Sequence, residues 1–284
     1  MRKKENAEML FSQRKGITPV KSVLQTDSMD EDLRNGLWNV LFSFYWSYSE
    51  EWSSGNIDTL FKSLWHSYFK WPLDTLLDKG HKTIRAYFFK CKWYEVYDFV
   101  EFVAQNYPDA TKESNKKFMD ACNSILEREL SSYRFVGGRI TQITSEEEIL
   151  EIEEALRIPD ALRNVRTHLK TALDLLADRK SPDYRNSIKE SISAVEAVSE
   201  LIAKNPKATL GQALKEIETK VSLHPALKSA FSSLYGYTSS ADGIRHALLD
   251  EPNLTFDDAK FMLVLCSAFV NYLIAKVSQA GIKL

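Results

Sequence analysis

Asp242-Gly243-Ile244-Arg245-His246-Ala247 packs an acid, a glycine, a fixed cation and a titratable imidazole into five positions. Arginine stabilises negative charge developing on a phosphate, and histidine moves a proton near neutral pH. Together they suit metal-independent RNA cleavage, in which a 2′-hydroxyl attacks the adjacent phosphate, with Asp242 orienting the pair. The plainer alternative is a helix-end Arg and His, solvated or bonded to nearby carbonyls. A second polar set begins at Tyr184-Arg185-Asn186-Ser187 and runs on through Glu196. Ile188, Ile192 and Val195 make an apolar stripe at helical spacing, while Lys189, Ser193, Glu196 and Glu200 share a polar face. Glu196 is expected to orient the arginine of the first motif across the bundle; otherwise the face is simply solvated. Arg185 and Lys189 are candidate RNA contacts on the same helix.

In the N-terminal half, Lys82-Thr83-Ile84-Arg85-Ala86-Tyr87-Phe88-Phe89-Lys90 alternates basic and aromatic residues. Lys82 and Arg85 are the candidate RNA contacts there, because cations meet phosphates and rings stack on bases. The competing expectation is a core helix with a cationic outer face. The basic start of the chain, with Arg2, Lys3, Lys4, Arg14, Lys15 and Lys21, is similar in kind.

No P-loop, dinucleotide-binding, nucleophile-elbow or zincin motif occurs. The histidines, at 66, 81, 168, 224 and 246, include no i, i+4 pair, so a histidine-built metal site is not expected. The chemistry proposed for Arg245 and His246 calls for no cofactor and no metal.

These residues must be positioned mainly by helices. The chain has 284 residues, with 10 Gly and 8 Pro, few for an all-β architecture with many tight turns. Leu33 to Tyr48 and Ile57 to Tyr68 carry helical apolar spacing. A third helix is expected from about Lys82 to Gln105 and a fourth over 113–130. Tyr133-Arg134-Phe135-Val136, Gly137-Gly138 and Arg139-Ile140-Thr141 then read as a short hairpin. Thr144 or Ser145 is expected to cap a helix whose first turn is Glu146-Glu147-Glu148. Further helices are expected near 145–157, 160–178, 182–204, 209–221, 224–247 and 256–279. Of the 33 aromatic residues, 21 fall between Trp38 and Tyr107, including all six tryptophans. That shift suggests two separately built cores: an aromatic-rich helical domain over 1–132, a hairpin connector over 133–144 and a helical bundle over 145–284.

Formal charge is −2, so any nucleic-acid surface is a local patch. Cys91, Cys122 and Cys266 lie far apart, which argues for a reducing compartment. The N-terminal residues lack the apolar core of a secretory signal. The apolar run 261–275 is shorter than the roughly 20 residues of a membrane span. A soluble, cytoplasmic protein with no membrane partner is expected.

Several of these segments resemble one subgroup of AbiJ-type abortive-infection proteins. They include Phe11-Ser12-Gln13-Arg14-Lys15-Gly16, Asp32-Leu33-Arg34-Asn35-Gly36-Leu37-Trp38-Asn39, and the hairpin leading to Ile143-Thr144-Ser145-Glu146. The segments Pro182-Asp183-Tyr184-Arg185-Asn186 and Asp242 to Ala247 fit the same subgroup, and the C-terminal part resembles a HEPN domain. The resemblance implies a mainly α protein with a sensor-like N-terminal domain and a HEPN-like effector bundle. It implies a homodimeric, metal-independent endoribonuclease acting on cellular RNA, and a trigger or inhibitor of unknown identity. Active HEPN proteins pair an Arg with a His four to six intervening residues later. Here Arg245 is the matching arginine, but those positions are Asp250, Glu251 and Pro252, and His246 follows directly. The alternative is therefore a catalytically degenerate HEPN defence component that binds a nucleotide, RNA or protein partner. Arg163 and His168 mimic the spacing, but on one helix they point about 140° apart, so the match is taken as coincidence. A dimer through the C-terminal bundle also suits the 261–275 helix, which is apolar almost all round.

Overall fold

A computed structural model describes residues 10–19, 21–46, 55–76, 80–108, 113–178, 181–219, 224–239 and 254–282. The fold is mainly α, with one two-stranded hairpin among the described residues. It divides into two compact units, Met1–Arg134 and Phe135–Leu284.

In the first unit a short turn of helix, α1 (Phe11–Arg14), precedes an extended segment and then α2 (Glu31–Leu41). Asp30 starts α2 by accepting from the Leu33 amide at 2.9 Å, satisfying one of the helix's orphan donors. The expected helical runs 33–48 and 57–68 begin as α-helix and then widen, the first described only to Trp46. From Phe42 to Trp46 the chain widens to a π-helix that turns Tyr45 and Trp46 into the core. The next helix, α3 (Gly55–Ser63), widens likewise over Leu64–Phe69 and stops at Lys70, whose φ is 56°.

The single helix expected over 82–105 is two: α4 (Gly80–Lys90) and α5 (Trp93–Asn106). Lys92 adopts an extended backbone, and its amide donates to the Glu95 carboxylate at 2.6 Å. That exchange starts a new helix where unbroken apolar periodicity argued for a continuous one. Finally, α6 (Glu113–Arg128) packs against α2, so closely that a Cβ on Gly36 would lie 2.5 Å from Ile125 Cγ2.

The core of this unit is a lattice of rings. Trp38 meets Trp46, Phe88 and Phe89 at 5.1–5.5 Å, and Phe99 meets Tyr68 and Phe88 at 5.6 and 5.8 Å. Such tilted and edge-on contacts suit the ring quadrupole. At its edge the extended segment is stitched to the end of α6. Gln25 N donates to Leu130 O at 2.8 Å, and Ser132 N donates to Gln25 O at 3.1 Å. Lys21 Nζ lies 2.8 Å from Asp30, 2.8 Å from Asp32 and 2.6 Å from Glu129.

The second unit opens with β1 (Arg134–Val136) and β2 (Arg139–Thr141), joined by Gly137 and Gly138 at φ 55° and 88°. These left-handed positions require glycine, and a Cβ on Gly137 would come within 2.6 Å of Leu156 Cδ1. Ser145, the second of the two expected caps, starts α7 (Glu146–Leu156). Then follow α8 (Arg163–Ala177), α9 (Tyr184–Ala203), α10 (Leu210–Glu218), α11 (Pro225–Ser239) and α12 (Phe256–Gln279). The helix expected over 224–247 is described only to Ser239.

Helix α9 is central, packing on α8, α10 and α12, while α12 also packs on α7 and α8. The core is aliphatic: Leu169, Leu173, Ile188, Val198, Leu263 and Val270 are each fully buried. Val136 and Ile143 from the hairpin region, and Ile152 from α7, belong to the same core. Ser187 Oγ donates to Ala172 O at 2.8 Å, which satisfies a buried hydroxyl at the α8–α9 contact. Helix α12 is long and apolar enough to cross a membrane, with 44% of its most apolar stretch buried inside the protein. Its buried side chains include Met262, Cys266, Phe269 and Leu273.

Candidate functional site

Asp242, Arg245 and His246 lie outside the described residues. What is described is the frame around residues 240–253: α11 ends before them, and Leu254 and the cap of α12 follow. Thr255 makes that cap, its hydroxyl accepting from Asp258 N while its own amide donates to Asp258 Oδ2 at 2.8 Å. One turn of ring packing ties this end of α12 to the start of α9, with Phe256 edge-on to Tyr184 at 6.4 Å. Helices α9 and α12 therefore start at the same end of the bundle.

Arg185 and Glu196 are half-buried on α9, and Lys189 is exposed. At 3.6 residues per turn the three fall within about 40° of one another, spread over about 16 Å of helix. Both Arg185 and Glu196 have side-chain interactions rather than standing free. Their strip adjoins Ile192 and Val195, which with Leu210, Phe231, Cys266 and Phe269 line an apolar crevice between α9, α10, α11 and α12. The crevice has no chemistry of its own. Burial pushes the Cys266 thiol up to about 12, so it stays protonated at neutral pH and is no nucleophile.

The opposite rim of α9 holds a pair that sequence reasoning missed. His168 Nδ1 on α8 and Glu190 Oε2 on α9 are 2.6 Å apart, and both side chains are partly exposed. A carboxylate on Nδ1 fixes the ring's orientation and leaves Nε2 for other work. The residues are 22 apart in sequence, and no local spacing signals their meeting. Arg163, the other half of the coincidental spacing, is exposed at the start of α8. Arg166 is instead held by Asp160 at 2.6 Å and by Ile158 O at 3.1 Å.

In the first unit Lys82 and Arg85 are both exposed on α4, whose inner face buries Ile84 and Phe88. The Arg85 guanidinium sits 4.8 Å from the Phe89 ring centroid, a cation–π contact that presents charge and ring together. His81, one turn before Arg85, packs between Trp38 and Trp46 at 5.8 Å from each. Burial, helped by the Arg85 charge, holds its pKa below the usual 6.5. The segment is a core helix with a cationic outer face, on which Lys82 and Arg85 are exposed. Among the described residues no three His, Cys, Asp or Glu side chains are arranged to hold a metal ion.

No curated protein and no solved structure matches the chain. The family described as AbiJ N-terminal domain 4 matches residues 9–157, spanning the aromatic unit, the hairpin and α7. That segment is just over half of the 284 residues, and the chain therefore belongs to the AbiJ N-terminal domain 4 family, an abortive-infection-related group.

Proposed function

We propose that the protein is an antiviral abortive-infection effector whose second unit is a HEPN-type, metal-independent endoribonuclease cleaving cellular RNA as a homodimer. Arg245 stabilises the charge that builds on the phosphate, His246 moves the proton, and Asp242 and Glu196 orient them. Arg185 and Lys189 on α9, with Lys82 and Arg85 on α4, contact the RNA backbone. The balance is that of a transphosphorylation. The 2′-oxygen loses its proton to the base and bonds to phosphorus, and the 5′-oxygen leaves with a proton.

The observation that carries this proposal is the membership in an abortive-infection family of a chain whose remaining half is a helical bundle. In that bundle Arg185, Lys189 and Glu196 line one strip of α9, beginning at the end where the 240–253 connection returns to α12. A dimer through the C-terminal bundle suits α12, whose Phe261 is 58% exposed. RNA is the substrate, and a trigger or inhibitor acts through the first unit, in the cytoplasm and without a membrane.

Purified full-length protein incubated with total RNA and tRNA in chelator tests the proposal. Cleavage by wild type and none by Arg245→Ala is expected; equal cleavage by both rejects the assignment. A second possibility, a non-catalytic component that binds a nucleotide, RNA or protein partner, is favoured by one observation. The positions four to six intervening residues past Arg245 are Asp250, Glu251 and Pro252, with no histidine. RNA binding without cleavage in the same experiment is its signature.

A further inference from the structure

Residues 10–19 and 21–24 leave large apolar side chains in solvent, Leu10 at 66%, Phe11 at 65%, Ile17 at 74% and Val23 at 79% exposure, and form an N-terminal arm. The arm is nonetheless built. Ile17 N and Thr18 N both donate to Ser12 O, Gly16 turns the chain at φ 68°, and the clamp at Lys21 and Gln25 roots it. It carries no acidic residue; Lys21 is taken up by the clamp, and Arg14 and Lys15, exposed at the tip with Lys15 Nζ 5.9 Å from the Phe11 ring centroid, supply its outward charge. Singly exposed apolar residues are ordinary, but several of them on one short, shaped segment without an acidic residue mark a candidate contact surface.

The outer face of α7 has the complementary character. Six of its eleven residues are glutamate, and Leu150, 53% exposed, stands among Glu146, Glu147 and Glu154. The remaining acids are occupied: Glu153 by Arg157, Glu148 by Lys260 at 3.5 Å, and Glu151 by Asn271 at 3.0 Å. The Glu147 pKa is lowered by its own backbone amide and by the Ser145 hydroxyl, which donates to its carboxylate at 2.9 Å. An apolar centre ringed by acids fits an apolar-tipped basic segment.

We infer that the N-terminal arm of one copy docks on the α7 face of a second copy, Phe11 and Ile17 covering Leu150 while Arg14 and Lys15 meet Glu146, Glu147 and Glu154. Each copy carries one arm and one α7 face, both exposed, so the two surfaces are self-complementary in composition. Donor and acceptor both lie within the family-matched segment 9–157. Because α7 is built into the core of the second unit, the contact ties one copy's arm to its neighbour's bundle. This inference does not rest on RNA cleavage.

Full-length Ile17→Cys and Leu150→Cys, each exposed and absent from the proposed catalytic machinery, are mixed under mild oxidation with wild type as the background control. A disulfide joining peptides of the two different variants is expected. It is lost with Arg14→Glu/Lys15→Glu on the first chain, or with Glu147→Lys/Glu154→Lys on the second. It returns when both charge reversals are combined. High salt weakens it, since exposed charges are screened. Three results overturn the inference: no mixed disulfide, indifference to the charge reversals, or linkage only within one chain when an Ile17→Cys/Leu150→Cys double variant is diluted with excess wild type.

Discussion

Trp38 in the first unit touches the rings of Trp46, His81, Phe88 and Phe89, whereas Val198 and Leu263 in the second sit among aliphatic chains. The unit of the ring lattice departs locally from regular helix, with two π-helical stretches that bury Tyr45, Trp46, Leu64 and Trp65 and a break at Lys92 where the Glu95 carboxylate caps a new helix. The aliphatic bundle runs in long helices, up to the 24 residues of α12, because Leu, Ile, Val and Ala interlock without directional demands. The first unit also closes its edge with a polar clamp, while the second builds a hairpin and an acidic helix into its core. One unit is shaped for specific local geometry and the other for a scaffold on which a few polar residues are displayed.

All six tryptophans lie in the first unit, so their emission reports that unit alone while far-ultraviolet circular dichroism reports both. Phe99→Ala is expected to have the largest effect, about 3–5 kcal/mol for a fully buried ring. It should move the tryptophan transition in urea and leave the remaining dichroism transition in place. Gly137→Ala is the counterpart in the second unit. A Cβ there meets Leu156 and Leu173 within 2.9 Å on a φ of 55°, which costs about 2–4 kcal/mol. Dichroism should then shift while tryptophan emission stays. Movement of both probes together in either variant would mean that the units unfold as one.

A smaller effect, about 1 kcal/mol, is expected for Asp30→Ala, which removes the cap of α2. Burial alone would raise the Asp30 pKa, but the Lys21 ion pair and the Leu33 amide hold it below 3.8. Its contribution is therefore complete above 3.8 and fades as pH falls through the lower folded value. His81 acts at milder acidity. Its folded pKa lies below 6.5, so the neutral ring stabilises the first unit above 6.5, and that contribution fades as pH drops toward the folded value. His81→Gln should flatten the pH dependence of the tryptophan transition below 6.5, and an unchanged slope would contradict the role. Smallest of all, Lys189→Ala should change stability by no more than about 0.5 kcal/mol while weakening RNA binding in a salt-dependent way.

Caps, glycine turns and helical periodicity are local, and they were legible: Ser145, Gly137-Gly138 and the extents of α9 and α12 follow from residue order. The break at Lys92 was not, because Ile84 to Val103 keeps its apolar rhythm across it. Nor were the Gln25–Ser132 stitch and the His168–Glu190 pair, which join positions separated by more than a hundred residues and by 22. Long-range pairings depend on the packed fold, and no spacing rule reaches that far. For the candidate site, the Arg185, Lys189 and Glu196 strip was legible as helix periodicity, while Asp242, Arg245 and His246 lie outside the described residues.

The ends left on the RNA test the central claim most directly, because attack by a 2′-hydroxyl leaves a distinctive product. In chelator, wild-type protein is predicted to generate fragments ending in 2′,3′-cyclic phosphate, and Arg245→Ala and His246→Ala are predicted to generate none. Fragments ending in 3′-hydroxyl, or cleavage that appears only when a divalent metal is added, would contradict it.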